Sequence, residues 1–229
     1  MAASVSLATM RTRVRYAADI EGDTERFPDA QLNTLINDAA KEVWEEITGW
    51  NPEYFATSSD TVTVAGTPTV TVPATALDVL GVAVQHNSSS WIWCDRGTLA
   101  EIYDYNTDDW WRAGPTAPRY VLIGQTIHFY PTPSAATPVR VHFVPVCTTL
   151  ADGPPAVDFD GVNGWDQAIV YKAALACMAQ DTDVEAVQII AAQLSQQMTR
   201  IERLVLPRDL SGPAKVSQVR KRRTRRAFR

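Results

Sequence analysis

The chain has 229 residues, of which 45% are hydrophobic and 21% charged, a balance that fits a globular protein with a substantial core and excludes general disorder. No apolar run approaches the roughly 18 residues of a membrane span, and three scattered cysteines without a Cys-x-x-Cys pair argue against a zinc site or a redox dithiol. The net charge of -5 hides an asymmetry, because residues 215–229 carry eight basic and no acidic residues, whereas the remainder holds 13 basic against 26 acidic ones.

The N-terminal segment predicts a short helix over residues 5–18, with Val5, Met10 and Val14 in helical spacing. Its basic residues follow its short apolar stretch, which is the reverse of a signal peptide. We therefore expect a product that is not exported. An acidic turn with Asp19, Glu21 and Asp23 follows this helix.

The next segment, FPDAQLNTLINDAAKEVWEEI, predicts an amphipathic helix. Pro28 and Asp29 suit its first turn, because proline has no orphan N–H there and a carboxylate favours the positive end of the helix dipole. Gly49 and Pro52 predict where it ends. Its apolar residues recur at intervals of three and four: Leu32, Leu35, Ile36, Ala39, Val43 and Ile47.

The hydrophobic period then changes to that of strands, which predicts a β-rich region over residues 60–146. Short strands are expected around Val62 and Val64, around Val70 and Val72, in LDVLGVAV and in the Trp-Ile-Trp run at 91–93. Thr98 and Glu101 resemble a capping box that opens a short helix. RYVLIG and TIHFYP flank Gly124-Gln125 as a hairpin, and PVRVHFVPV alternates as a half-buried strand does.

Helical spacing returns near residue 164, with one helix from Trp165 to Ala179 and a longer one from Val184 to Val205 that ends before Pro207. Neither helical end has enough partners alone. We therefore predict an α+β fold in which terminal α-helices pack as a helical bundle with a β-rich insertion, plus an extended basic C-terminal tail. The predicted divisions are 1–59 and 147–206 for the two helical parts, 60–146 for the insertion and 207–229 for the tail.

The sequence contains no phosphate-binding loop, nucleophile elbow, metalloprotease motif or dinucleotide fingerprint. His128 and His142 are expected on the polar faces of strands, where neighbouring positions would allow a metal site, although a solvated sheet face explains them equally well. The acidic turn lacks the distal glutamate of a calcium loop. Asp108 and Asp109 beside Trp110-Trp111 have two interpretations: a sugar-binding or hydrolytic patch, or a turn that carries aromatic residues for an interface. We predict no catalytic residues, no cofactor and no metal.

Seven tryptophans are many for a domain of this size. Some are expected in the core, and their occurrence in loops and short strands also fits protein–protein interfaces, where tryptophan is enriched. The basic tail has three interpretations: nucleic-acid binding, docking on an acidic protein, or a solvated end.

Four quoted segments give the chain a resemblance to a known family. RFPDAQLNTLINDAAKEVWEEI, VTVPATALDVLGVAV, GPTAPRYVLIGQTIHFYPTPSAATPVRVHFVPV and FDGVNGWDQAIVYKAALACMAQ occur in the order and spacing of the tailed-bacteriophage head-to-tail adaptors, also called head-completion or connector proteins. The resemblance covers nearly all of residues 5–206. Pro28 replaces the small capping residue usual in the family, and the arginine-rich end is longer than is usual there.

The resemblance implies a structural virion protein at the head–tail junction, made in the host cytoplasm. It would form a ring of about twelve copies beneath the portal protein, extend the DNA channel, and offer a platform for a tail or neck protein. Genomic DNA would pass without sequence-specific binding, and no membrane is involved. The alternatives are a nucleic-acid-binding protein acting through its tail and a cell-wall hydrolase. The predicted portal-docking residues are Lys215, Arg220, Lys221, Arg222, Arg223, Arg225, Arg226, Phe228 and Arg229.

Overall fold

The computed structural model describes residues 4–87, 90–100, 118–152, 159–160, 165–179 and 184–206. The helices of these residues are α1 (Leu7–Ala17), α2 (Asp29–Trp50), α3 (Trp165–Met178) and α4 (Val184–Val205), and a 3-10 turn covers Pro52–Phe55. Their strands are β1 (Ser4–Val5), β2 (Thr57–Val62), β3 (Thr69–Thr71), β4 (Ala76–Asn87), β5 (Ser90–Trp93), β6 (Asp95–Arg96), β7 (Arg119–Ile123), β8 (Thr126–Tyr130), β9 (Pro138–Pro145) and β10 (Phe159–Asp160). The mixed α+β class predicted from the sequence is confirmed. Within the described part, no helix is long and apolar enough to cross a bilayer.

The first two helices follow the predicted periodicity with small differences at their ends. The Ser6 side chain caps α1 by accepting a hydrogen bond from the backbone N–H of Thr9, which satisfies one of the orphan donors of the first turn. Helix α2 continues through Gly49, where the sequence predicted an end, to Trp50. It stops before Pro52, because the proline ring disfavours helical geometry in the preceding residue.

Helix α3 is the central helix of the described residues. Nine of its fourteen residues are buried, and the five that are not lie on one face at helical spacing: Gln167, Tyr171, Lys172, Leu175 and Ala176. It packs against α1, α2 and α4, and all four helices contribute to one hydrophobic cluster. The largest fully buried side chain in the described residues, Trp165, lies at its start. Helices from before and after the strands therefore share a core.

Within the described ranges, the strands form two four-stranded sheets and one two-stranded sheet. One four-stranded sheet has the order β2-β9-β4-β5 and the other the order β3-β8-β7-β6. Alternate residues of both sheets bury a second hydrophobic cluster that includes Val82, Val141, Ile127 and Phe129. The hairpin of β7 and β8 turns at Gly124, which has a φ of 60°, a conformation that glycine adopts without a steric penalty.

An aromatic cluster joins the helices to the first sheet. The rings of Trp44 on α2 and Phe55 in the 3-10 turn are stacked, with centroids 3.5 Å apart, and Phe55 also meets Trp165 edge-on at 5.6 Å. The indole N–H of Trp44 donates to the carbonyl oxygen of Pro145 at the end of β9, at 3.0 Å. Stacked aromatic pairs contribute stability beyond that of their buried area, so this cluster holds the 3-10 turn against α2 and α3 and holds α2 against the end of β9.

Several strand positions differ from the sequence prediction. Strand β2 begins at Thr57, three residues before the predicted start of the β-rich region. The prediction missed this start because the residues TSSDT show no hydrophobic alternation. Val64 and Val72 lie just beyond strand ends. The pairing of β1 with β10 was not predicted. The helix predicted to open at Thr98 and Glu101 falls largely outside the described residues, as does the whole tail at 207–229.

Candidate interaction surfaces

The point where the tail leaves the body is well anchored. Val205 and Ile201 are the two buried residues of α4, and both lie in its last turns. The side-chain amide of Asn51 donates a hydrogen bond of 2.8 Å to the backbone oxygen of Val205. That bond satisfies one of the carbonyl groups that the end of a helix leaves without a partner. The tail therefore starts from a fixed position beside the end of α2.

The basic residues of α1 are held in ion pairs within the body. Arg15 bonds to Asp29 at 2.9 Å, and this hydrogen bond lowers the pKa of Asp29 below its usual value. Arg11 pairs with Asp29 and with Asp152, and Arg13 pairs with Asp166. These guanidinium groups are thereby neutralised locally and add little positive potential to the surface.

Two acidic surfaces remain on the helical part. The turn between α1 and α2 exposes Asp19, Glu21 and Glu25. On α2, Glu42 and Glu46 bind the Lys172 ammonium at 2.9 and 2.7 Å. Burial acts to lower the pKa of Lys172, but its hydrogen bonds to the two glutamates together raise the pKa above its usual value. The described helical surface is therefore predominantly acidic, as the charge count of the sequence predicts.

The outer face of the sheet that contains β2 carries an aromatic and basic patch, which we call the Trp93 patch: Trp91, Trp93, Gly81, Arg140 and His142. Trp93 is 53% exposed. A Cβ atom on Gly81 would lie 1.9 Å from its indole ring, so glycine is needed for this close approach. The Trp93 and His142 rings lie 5.3 Å apart. Exposed tryptophan on a rigid strand is typical of interface anchors.

Arg140 is fixed at the edge of the same patch. Its guanidinium group makes two hydrogen bonds to the Asp60 carboxylate, at 2.7 and 2.8 Å, and lies 4.3 Å from the centre of the Trp91 ring. The paired arginine lowers the pKa of Asp60 below its usual value. A guanidinium group held by a carboxylate and an aromatic ring loses little further conformational freedom on contact with a partner.

A groove of about 680 Å³ lies between α1, α3 and α4. Tyr16, which is 77% exposed, stands on one wall, and Tyr171 and Ile190 also line the groove. Its other lining residues are Thr12, Arg13, Ala17, Glu21, Gln167 and Gln193. The groove therefore combines apolar, polar and charged side chains on one open surface.

The two histidines that the sequence analysis considered as metal ligands, His128 and His142, do not lie on neighbouring strands. His128 lies on β8 and His142 on β9, and these strands belong to different sheets, so the neighbouring placement considered from the sequence is wrong. Among the described residues, no group of three or more histidine, cysteine, aspartate or glutamate side chains could hold a metal ion. Burial raises the pKa of Cys94 to about 12, which keeps this thiol protonated and unreactive.

The predicted docking residues at 215–229 lie outside the described residues, as do Asp108, Asp109 and the Trp110-Trp111 pair. The Trp93 patch was not identified from the sequence as a surface. A signal for it exists in the register, since Trp93, Ala83, Arg140 and Asp60 lie opposite one another across four strands. Unless the order of the strands is known, the sequence does not show that these four residues are neighbours.

A family model described as the SU10 adaptor protein matches residues 5–221. The match covers the helices, the strands and the start of the basic tail. None of the curated proteins matches the chain.

Proposed function

Because the chain belongs to the SU10 adaptor protein family, a family of phage head-to-tail adaptors, we propose that it forms a ring beneath the portal and extends the DNA channel. The membership confirms the resemblance drawn from the four sequence segments. It gives the chain a structural role at the head–tail junction of the virion, in contact with portal and tail proteins. The match over residues 5–221 is the observation that carries this proposal.

The proposed ring has about twelve copies related by a closed rotation, so that one face of each copy meets a different face of the next. The Trp93 patch and the groove with Tyr16 are distinct surfaces on one chain, as such heterologous contacts require. A tail or neck protein would bind the side of the ring away from the portal.

The charge distribution supports passage of DNA without sequence-specific binding. Acidic residues outnumber basic ones two to one outside residues 215–229, and the arginines of α1 are held in ion pairs. A channel wall of this charge repels the phosphate backbone, so the duplex can move without being held.

The basic tail is the proposed portal-docking element, and its residues are those predicted from the sequence. Arginine keeps its charge when desolvated and presents a planar pair of donors to a carboxylate. A long C-terminal segment can reach across more than one neighbouring subunit when it docks. In a ring, each docked tail raises the effective concentration of the next, so weak contacts accumulate. The anchored root at Val205 supplies a defined starting point.

Deletion of residues 215–229 tests this proposal. The shortened protein should remain folded, because every described core residue is retained, and it should no longer join portal-bearing heads. A matched variant with every arginine of 220–229 changed to lysine keeps the charge and removes the planar fork, and it should join more weakly than the unaltered protein. If the deleted form occupies the heads as fully as the unaltered protein at normal salt, the tail is not the anchor.

DNA binding by the tail is the second candidate, favoured by the same eight basic residues. Such binding would weaken steeply with salt, since each phosphate contact releases a counterion. The acidic body opposes close approach to a duplex, which favours the portal. A salt titration of DNA binding by the isolated protein, with and without residues 215–229, separates portal docking from DNA binding. Tight, tail-dependent binding at about 0.15 M salt would support DNA as the partner of the tail.

A further inference from the structure

Strand β2 presents an open edge. It lies at the end of its sheet and, among the described residues, pairs only with β9, in continuous register from Thr57 to Val62 without a bulge. Four of its six residues are exposed. It contains neither lysine nor proline, the residues with which natural sheets commonly protect an edge from further pairing.

The backbone groups that face away from β9 can be assigned from the register. Val62 lies opposite Pro138, which has no N–H, and the N–H of the next residue, Thr63, donates to the Thr137 oxygen at 2.9 Å. Bonded and non-bonded pairs alternate along an antiparallel ladder. Ser58, Asp60 and Val62 therefore direct their N–H and C=O groups outward, where an added strand would bind them.

The C-terminal segment begins close to this edge. The hydrogen bond between Asn51 and Val205 holds the end of α4 beside Asn51. Asn51 in turn precedes Thr57, the first residue of β2, by six positions, and the 3-10 turn lies between them. Residues 207–214 can span about 26 Å when extended, whereas β2 is about 20 Å long. The chain beyond α4 is thus long enough to lie along the whole edge.

The segment 215–220, KVSQVR, has the composition that the edge requires. It has no proline or glycine, it contains two β-branched valines, and Gly212-Pro213 precede it as a break. Its charges also fit: it carries two cations and no acid, whereas residues 52–62 carry Glu53 and Asp60 and no cation. We infer that residues 215–220 add a strand to the outer edge of β2 in the same chain, before the subunit meets any partner.

The added strand closes an edge that would otherwise pair with other chains, and it leaves residues 221–229 projecting from a defined position. This inference concerns the free subunit and does not depend on the portal being the target of the tail. Strand addition uses backbone groups, so it tolerates changes of side chain that would abolish a charge-driven contact.

Residue-resolved amide hydrogen exchange of the isolated protein tests the inference. In the full chain, the amides of Ser58, Asp60 and Val62 should exchange at least about tenfold more slowly than in a variant lacking residues 207–229. The amides at positions 57, 59 and 61, which face β9, should exchange alike in both proteins. Equal exchange at Ser58, Asp60 and Val62 in the two proteins would overturn the inference.

A point variant avoids relying on the deletion alone. Adjacent residues of a strand direct their amides to opposite sides, so the double change Ser217→Pro with Gln218→Pro removes one ladder donor in either register. It should abolish the protection as fully as the deletion does. The matched double change Asp209→Pro with Leu210→Pro lies in the preceding spacer and should leave the protection intact; protection that survives the first change contradicts the inference.

A mixing experiment identifies which chain supplies the strand. Isotope-labelled protein lacking residues 207–229 is mixed with unlabelled full-length protein, and exchange is measured on the labelled chain. Its β2 amides should stay unprotected at every concentration of the full-length chain. Protection that rises with that concentration would show pairing between copies and overturn the assignment to the same chain.

Discussion

The close approach of Trp93 to Gly81 predicts a strong energetic coupling between the two residues. A Cβ atom on Gly81 would lie 1.9, 2.5 and 2.8 Å from Cζ2, Cη2 and Cε2 of the indole, far inside van der Waals contact. Gly81→Ala therefore forces the ring off the sheet. Trp93 is 53% exposed, so roughly half of its surface is buried against the sheet. A tryptophan side chain can bury about 150–250 Å², and displacing the ring exposes roughly half of that area. At about 25 cal/mol per Å², the loss is about 2 kcal/mol.

A double-mutant cycle measures this coupling. Urea unfolding followed by circular dichroism gives the free energy of unfolding of the unaltered protein, Gly81→Ala, Trp93→Ala and the double variant. With the indole absent, alanine at 81 should cost nothing, or should stabilise the strand by about 0.5 kcal/mol because the unfolded chain has less freedom. The coupling should thus be about 2 kcal/mol. A value within about 0.5 kcal/mol of zero would refute the reasoning, and Gly49→Ala, which meets no atom within 4 Å, is the control.

Three further outcomes are expected. Trp165→Ala should lower the unfolding free energy by about 3–5 kcal/mol because its ring is fully buried, whereas Leu204→Ala, 41% exposed, should change it by under about 0.5 kcal/mol in the same urea titration. Lys172→Met should destabilise the protein at neutral pH. Since the pKa of Lys172 is raised in the folded protein, the stability that its ammonium group contributes is present below the usual pKa of 10.5 and is lost at higher pH. The difference in urea midpoint between the unaltered protein and the variant should therefore narrow above pH 10.5, and a constant difference would contradict the ion-pair account. Asn51→Ala should lower the unfolding free energy by about 1–2 kcal/mol and speed amide exchange in the last turn of α4, and unchanged exchange there would show that the bond to Val205 does not hold the tail root.

The helices and the later strands were predictable because their hydrophobic patterns are strong. Leu32, Ile36, Val43 and Ile47 repeat at helical spacing and all are buried. The alternation in PVRVHFVPV likewise matches the burial of β9. In both cases the local pattern and the final environment agree, so a single sequence is sufficient.

The remaining features depend on contacts between distant residues. Strand β2 is almost wholly polar, and it is a strand because β9 provides its ladder, which no local pattern reveals. The Trp93 patch requires Gly81, His142 and Trp93 to meet on three different strands. The placement of His128 and His142 in different sheets is likewise a matter of strand order. Pattern identifies elements, and only tertiary pairing decides which side chains become neighbours.

The distribution of burial along α4 has a mechanical consequence. Its two buried residues, Ile201 and Val205, lie in the last turns, and the bond from Asn51 is made to the final residue. A pull on the chain beyond Leu206 is therefore transmitted directly to α2 and to the helical core. The first half of α4, which is only partly buried, carries little of that load. Tension applied through the C-terminal segment would thus be borne by the most firmly packed part of the helix, and the helix would not peel from its weaker end.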